Sequence, residues 1–445
     1  MKKIYPTLII LFLTMLNVSG QVWNPLGGIT SLGSTTTGIR AIAVNPYDGS
    51  IYAGGTFASG VNYLAKYNTS NNTWQQVGTG INGPVYALAF YKNNLYVGGL
   101  FTVAGGVTVK NIASVSSTGI FSDVAGGVND QVNCLYVAED SSKLYVAGKF
   151  NQSGSGTTLL HIASIATTTW ATVGAGVPSV VNALAEYTSN GAKKLYAGTE
   201  NTATPVYKDS SNIWYAMPDL TGGRVNALAA INGYLYAGGE FSQPTYAASK
   251  WNGGTWSTIN TIFSGPTIKI YSFYKLQTTL FLGGTFSGVG VSGLATYIGR
   301  IDGPTIPIKA VLTGNTLGGA PYAINSKTGY IIAGGMWSGN GSNISISSTT
   351  IGIEEIASSI ESSTLFPNPI TDHSILQVKL KKHFANSSLL IYNNQGQLVK
   401  EKFEENILGN DLKFEIEKNE LRNGIYHYLI LLDGSPALST SFIVD

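Results

Sequence analysis

The sequence predicts an all-β protein, with a long run of short-stranded repeats ahead of a small β-sandwich. Three observations carry this expectation. A string of the form Leu-Tyr-Val/Ala-Gly-Gly-x-Phe recurs along most of the chain. Charged residues make up only 11% of the 445 residues, while there are 54 Gly and 25 Tyr, which suits many short strands and tight turns. Near residue 350 the composition changes abruptly.

The first twenty residues are a separate element. Lys2 and Lys3 precede an apolar run from Leu8 to Leu16, and the small residues Ser19 and Gly20 follow. This is the pattern of a secretory signal over residues 1–20, cut before Gln21. The run is too short for a permanent bilayer anchor, and no Cys follows it to accept a lipid. No transmembrane segment is expected in the mature chain. The only cysteine is Cys134, which excludes an intramolecular disulfide. It stands where other repeats have Ala87, Ala183 and Ala227, and reads as a small packing residue.

The second position of the recurring string falls at Tyr52, Tyr96, Tyr145, Tyr196, Tyr236, Phe281 and Ile332, a mean step of about 47 residues. Each repeat has four short apolar segments. The first reads Val-x-Ala-Leu-Ala, as in Val85–Ala89, Val181–Ala185 and Val225–Ala229. The second is the Tyr-Gly-Gly segment, and the third resembles Leu64–Tyr67 or Ile112–Val115. The fourth opens on Trp, as in Trp74–Ile81 and Trp170–Val177. Segments this short, β-branched or aromatic and bounded by Gly, Asn, Ser and Thr, read as strands joined by turns. Four strands in each of seven repeats make a seven-bladed β-propeller, expected over residues 21–348.

Paired glycines at a strand end permit close backbone approach, and the Trp can cover the seam between blades. The seventh repeat lacks a Trp segment, but Trp23–Ile29 supplies one. The N-terminal strand should therefore complete the last blade and close the ring, which removes exposed sheet edges. The spacing Gly54-Gly55, Tyr67, Trp74 resembles kelch-type propeller blades. That resemblance implies the fold and leaves function open.

Residues 349–363 read as a linker, and residues 364–445 as a small immunoglobulin-like β-sandwich. Its strands are expected at Ile375–Leu380, Leu389–Tyr392, Leu412–Ile416, Ile425–Leu432 and Phe442–Val444, with a turn at Asn393–Gly396. The motifs Phe366-Pro367-Asn368-Pro369, Ile391–Gly396 and Leu421–Tyr426, with Gly424 and Tyr426 in the last, are similar to the C-terminal sorting domain of the type IX (Por) secretion system of Bacteroidota. Ile351–Glu355 is typical of the join before such a domain, while Ser441–Asp445 lacks the basic residues common at its end. The resemblance implies the type IX machinery as a partner and a destination in the medium or on the outer cell surface.

Residues 22–350 hold 13 Lys and 3 Arg against 7 Asp and 4 Glu, whereas residues 351–445 hold 7 Lys and 1 Arg against 4 Asp and 9 Glu. The propeller's surplus of positive charge is too dilute to suggest nucleic acid. Catalytic signals are few. Among the four His only His161 lies in the propeller, so a His-ligated metal or a Ser-His-Asp triad would rest on one residue. No cofactor or metal is expected. A sialidase-like site needs an arginine cluster, and the propeller has only Arg40, Arg224 and Arg300. Glu139, Glu186, Glu200 and Glu240 leave two-carboxylate glycoside chemistry open, although they share no motif.

The variable position of Val-x-Ala-Leu-Ala is Arg40, Tyr86, Asn133, Asn182, Asn226, Tyr271 and Tyr322 in blades one to seven. In a propeller the first strand lies nearest the axis, so these residues should ring one mouth, with Asp130 and Lys269 nearby. Tyr, Asn and Arg stack on and hydrogen-bond to sugars and peptides; they can equally satisfy the seams between blades. The expected function is a secreted or cell-surface, non-catalytic binding or adhesion propeller with a glycan or protein ligand. The alternative is a secreted glycan-active hydrolase or lyase with carboxylates at the channel mouth.

Overall fold

The computed structural model describes residues 23–26, 38–58, 61–68, 70–166, 168–189, 191–200, 206–217, 220, 222–242, 246–259, 268–276, 279–286, 297–301, 309–310, 320–327, 330–335, 344–347, 360–381, 384, 386–393, 398–405, 409–432 and 435–445. The expected signal segment, the Gly27–Ile29 part of the closing strand, the join at Ile351–Glu355 and Gly396 lie outside them.

Seven four-stranded antiparallel sheets form the blades. Their first strands are Ile39–Val44, Val85–Tyr91, Val132–Val137, Val181–Ser189, Val225–Ile231, Lys269–Leu276 and Pro321–Lys327. Each packs against the first strand of the next blade, and the seventh packs back on the first, so the innermost strands make a closed ring. Blade seven takes its fourth strand from the N-terminal end. Trp23, Asn24 and Pro25 pair with Ser347, Ile346 and Ser345. Across the closure, Asn325 Nδ2 donates to the Ile42 carbonyl at 3.0 Å.

The recurring motif is explained by these seams. The first glycine of the doublet faces the leading side chain of the next blade. A Cβ at Gly54 would stand 2.4 Å from Val85 Cγ1, and one at Gly334 would stand 2.6 Å from Ile39 Cγ2. Neither approach leaves room for a side chain. The motif Phe anchors the following loop. Phe57, Phe101, Phe150, Phe241 and Phe286 are buried, and their carbonyls accept from Tyr63, Asn111, His161, Ala247 and Tyr297. Those five residues all have left-handed backbone. His161 is thus a turn residue just before the third strand Ile162–Ile165, with its backbone held at both ends by Phe150 and Gly148. In blades one, three and four the fourth-strand Trp staples the blade to the one before, whereas Trp256 Nε1 in blade five is buried without a hydrogen-bond partner among the described residues. Trp170 Nε1 donates to Ala125 O at 3.1 Å, Trp214 Nε1 to Val173 O at 2.9 Å, and Trp74 Nε1 to Leu26 O at 3.4 Å.

The C-terminal unit has two antiparallel sheets. One orders Ile360–Phe366, His373–Leu380 and Asp411–Glu417; the other orders Leu398–Glu405, Asn386–Asn393, Gly424–Leu432 and Ser435–Val444. Leu376, Phe414, Leu389, Tyr428 and Phe442, drawn from both sheets, share one hydrophobic core. Two strands differ from expectation. Ile360–Phe366 begins inside the expected linker, because Ile360 and Leu365 are partly buried against that core. Leu398–Glu405 carries alternating charges that mask its period in the sequence.

Candidate functional site

Every first strand contains one register irregularity, and it falls at the same place. The breaks lie between Ile39 and Ala41, Val85 and Ala87, Val132 and Cys134, Val181 and Ala183, Val225 and Ala227, Ile270 and Ser272, and Pro321 and Ala323. The residues left out of register are Arg40, Tyr86, Asn133, Asn182, Asn226, Tyr271 and Tyr322. A bulge frees one residue from the ladder and re-aims its side chain. Where the doublet is complete its second glycine makes room for it: a Cβ at Gly99 would stand 2.0 Å from the Pro84 carbonyl, and one at Gly239 would stand 2.0 Å from the Arg224 carbonyl, while blade four carries Thr199 there. All seven bulge residues are half-buried, each just after a buried residue.

Their contacts run from blade to blade. Asn133 Nδ2 donates to Asn182 Oδ1 at 2.9 Å, and Gln131 Nε2 donates to Asn133 Oδ1 at 2.6 Å. Asn226 Nδ2 donates to the Ile270 carbonyl at 3.1 Å. The Tyr271 and Tyr322 rings lie 4.5 Å apart, and the Arg40 guanidinium lies 4.1 Å from the Tyr322 ring centre. Burial pushes the Tyr271 hydroxyl up to about 12; Tyr322 and Glu240 add to the rise and Arg40 opposes it. The ring therefore divides by chemistry. Blades three to five supply amides, while blades six, seven, one and two supply Tyr, Tyr, Arg and Tyr.

A chain of ion pairs borders the ring over blades four to six. Arg224 sits 3.7 Å from Glu200 and 3.2 Å from Glu240, whose other oxygen lies 2.9 Å from Lys269. Sequence reasoning named these residues separately and did not bring them together. The signal lay in repeat register: Arg224 and Lys269 each precede the first buried residue of a first strand, and Glu200 and Glu240 each directly follow a second strand. Asp130 is close in sequence but exposed, and its Oδ1 accepts from Gln131 N at 2.6 Å.

At the opposite ends of the same strands Tyr136, Glu139, Glu186, Leu228, Ala229, Ala230 and Lys275 line a cavity of about 180 Å³. Two of the carboxylates noted from sequence thus share one cavity. Both are engaged by the protein itself. Glu139 pairs with Lys193 at 2.9 Å, and Glu186 Oε2 accepts from the Glu139 backbone N–H at 2.7 Å. Cys134 lies opposite Ala147 in the ladder, and burial pushes its thiol up to about 12, which suits a packing role rather than a nucleophile. Arg300 is on the third strand Ile298–Ile301 of blade six, away from the bulge position that holds Arg40. Among the described residues no group of three or more His, Cys, Asp or Glu is placed to hold a metal ion.

In the C-terminal unit the motif residues have visible work. Asn368 Oδ1 accepts from Ile443 N at 3.0 Å, and Ile370 exchanges backbone bonds with Ile443 and Asp445, so this segment grips the last strand. The Ser374 hydroxyl donates to the Pro367 carbonyl, while Pro369 joins Asn368 to the buried Ile370. The Tyr426 hydroxyl accepts from Arg422 N at 3.0 Å and donates to Arg422 O at 2.8 Å, closing the Leu421–Tyr426 turn through Gly424, at φ 155°. Phe366 is 80% exposed.

Residues 28–125 match the family described as the Rax2 C-terminal beta propeller domain, and residues 364–445 match the secretion system C-terminal sorting domain. The chain thus carries a β-propeller and a type IX sorting domain, and its destination is secretion or the cell surface. No curated protein matches the chain. Among solved structures, the computationally designed Ika8 protein is 15% identical, with 72% of this chain and 98% of that chain covered at a TM-score of 0.45. A streptogramin B lyase is 12% identical, with 74% and 98% covered at 0.46. The Pan2 WD40 domain of Neurospora crassa is 12% identical, with 73% and 94% covered at 0.45. Among the described residues no helix is long and apolar enough to cross a membrane.

Proposed function

We propose that this secreted propeller is a non-catalytic binding or adhesion protein that takes an extracellular glycan at the ring of bulge residues. The observation that carries this is the conjunction of one bulge in all seven blades with Tyr, Asn and Arg as the re-aimed residues. A bulge repeated only for packing would suit small or apolar residues there as well. Half-exposed aromatic and amide groups instead offer stacking faces and hydrogen bonds to hydroxyls. The carboxylates of the propeller support binding over catalysis. Glu200 and Glu240 are held by Arg224 and Lys269, and Glu139 by Lys193.

A second reading has one observation in its favour. Glu139 and Glu186 share a cavity, as glycoside hydrolysis by two carboxylates requires. The test of both is a polysaccharide panel presented to the full secreted chain, with Tyr86→Ala and Tyr271→Ala beside it. Binding that both substitutions weaken about tenfold, without release of reducing ends, supports the ring. Reducing-end release abolished by Glu186→Gln would replace it with the hydrolytic reading. Absence of binding to every polysaccharide would overturn the glycan assignment and leave the secreted propeller itself intact.

A further inference from the structure

Among the described residues, the charged groups at the ring end are paired or open to solvent with one exception; Lys149, which follows a second strand as Glu200 and Glu240 do, is exposed. Arg224 and Lys269 meet Glu200 and Glu240, and Asp130 accepts a backbone N–H. Among the described residues, half-buried Arg40 meets no carboxylate and no hydrogen-bond acceptor. Its guanidinium lies over the face of Tyr322 at 4.1 Å, and its Nε is buried without a hydrogen-bond partner. A half-buried guanidinium carries five N–H donors in a rigid fork, and burying such a donor without an acceptor is unfavourable. Ring stacking compensates only part of this, since it leaves the in-plane donors unused.

The surroundings say what kind of acceptor fits. The described acidic groups of this mouth are engaged elsewhere, and none of them meets Arg40. Next to Arg40 two tyrosines, Tyr322 and Tyr271, form a bent ledge, with rings 4.5 Å apart and tilted by 46°. Further round the ring stand the amides of Asn133, Asn182 and Asn226, half-exposed. A fork for an anion, flat faces beside it and amides beyond it match a sugar with an acidic substituent, which has apolar C–H faces and many hydroxyls. An acidic peptide would use the fork but would leave the ledge and the amide arc without a regular partner.

We propose that Arg40 receives the anionic group of an acidic saccharide, with Tyr271 stacking on its ring and Tyr322 backing the guanidinium. This rests on the reading of the bulge residues as a ligand site and names the ligand's class. A carboxylated sugar and a sulfated sugar present the same charge and acceptor oxygens to the fork. They separate by pH, because a carboxylate is protonated near pH 4 or below and a sulfate ester is not.

The experiment measures affinity of the full secreted chain for polygalacturonate, dextran sulfate, neutral dextran and poly-glutamate, with Arg40→Gln and Arg40→Lys beside the parent. Arg40→Gln should weaken binding to the acidic polysaccharide on the order of tenfold or more, and Arg40→Lys by a smaller factor, because it keeps charge and loses the fork. Rising salt should weaken the parent's binding and leave that of Arg40→Gln nearly flat. Loss of binding below pH 4 selects the carboxylated class, and retention selects the sulfated class. If Arg40→Gln does not fold, Arg40→Lys and the salt series still decide the question. Binding of dextran alone, weakened by Tyr271→Ala but not by Arg40→Gln, would sink the acidic assignment and keep the ring as a site. Preference for poly-glutamate would overturn the saccharide. Binding of none of these probes would overturn this inference and the glycan reading together.

Discussion

Phe150 and Phe366 both belong to the motifs that make this chain readable, and they are used in opposite ways. Phe150 of the Gly-x-Phe string in the propeller is 0% exposed, and its carbonyl holds the turn at His161. Phe366 of the Phe-Pro-Asn-Pro string in the sorting domain is 80% exposed. The propeller motif recurs because each blade must solve the same packing problem against its neighbour. The sorting motif occurs once, and its Phe is largely exposed. Recurrence within a chain therefore reports a structural constraint. A single-copy motif with an exposed aromatic has no such internal constraint at that residue, here in a domain that matches a secretion sorting family.

The sharpest way to break the comparison is to delete both rings. Phe150→Ala should lower stability by about 3–5 kcal/mol, the range for a buried aromatic truncated to Ala. Phe366→Ala should change it by less than about 0.5 kcal/mol. Thermal or denaturant unfolding of the two variants beside the parent measures this directly. Equal effects would mean that Phe366 is packed in solution. With stability unmoved, any loss of export in Phe366→Ala reports recognition rather than folding.

A smaller effect tests the seams. A Cβ at Gly98 would stand 2.5 Å from Val132 Cγ1 in the next blade, so Gly98→Ala should cost about 1–3 kcal/mol through overpacking. Gly254 has ordinary negative φ, and its nearest neighbour to an added Cβ is Asn252 Oδ1 at 3.7 Å. Gly254→Ala should be neutral or slightly stabilising. Melting temperatures that fall equally for both would remove the argument that the doublet exists for close approach between blades.

Much of this architecture could be read before any coordinates, because it repeats. Seven copies made the variable position beside Val85, Val132 and Val181 visible, and Trp23 was recognisable as the missing Trp of blade seven. What repetition could not show was that Tyr86, Asn133 and their equivalents are bulges. A bulge of this kind demands no special residue at its own position, and the evidence for it lies in the partner glycine and the strand register. The link from Arg224 to Glu200 and Glu240 was hidden for another reason: these contacts join strand ends that approach only after folding. In the sandwich the strand Leu398–Glu405 was missed because Lys400, Glu401, Lys402 and Glu404 interrupt its apolar alternation. Lys400 reaches Glu420, so part of that charge serves a contact between segments.

The smallest effect belongs to the sorting motif's polar residues, and it separates two kinds of contact inside one domain. Asn368 reaches across to the last strand, whereas Tyr426 closes a turn four residues back along its own segment. Both bonds are partly open to water, so each truncation should cost about 1 kcal/mol. The two should differ in what they loosen. Asn368→Ala removes the acceptor of Ile443 N–H, and hydrogen exchange should speed up at Ile443 while the Arg422 amide stays protected. Tyr426→Phe keeps the ring that lies 5.6 Å from Phe442 and removes the hydroxyl that holds Arg422, so the opposite pattern is expected. The exposed end of the motif would then move with Asn368 and not with Tyr426, because Phe366 lies two residues from the asparagine. If both substitutions open the same amides, the motif acts as one cooperative unit, and the division between a strand grip and a turn closure fails.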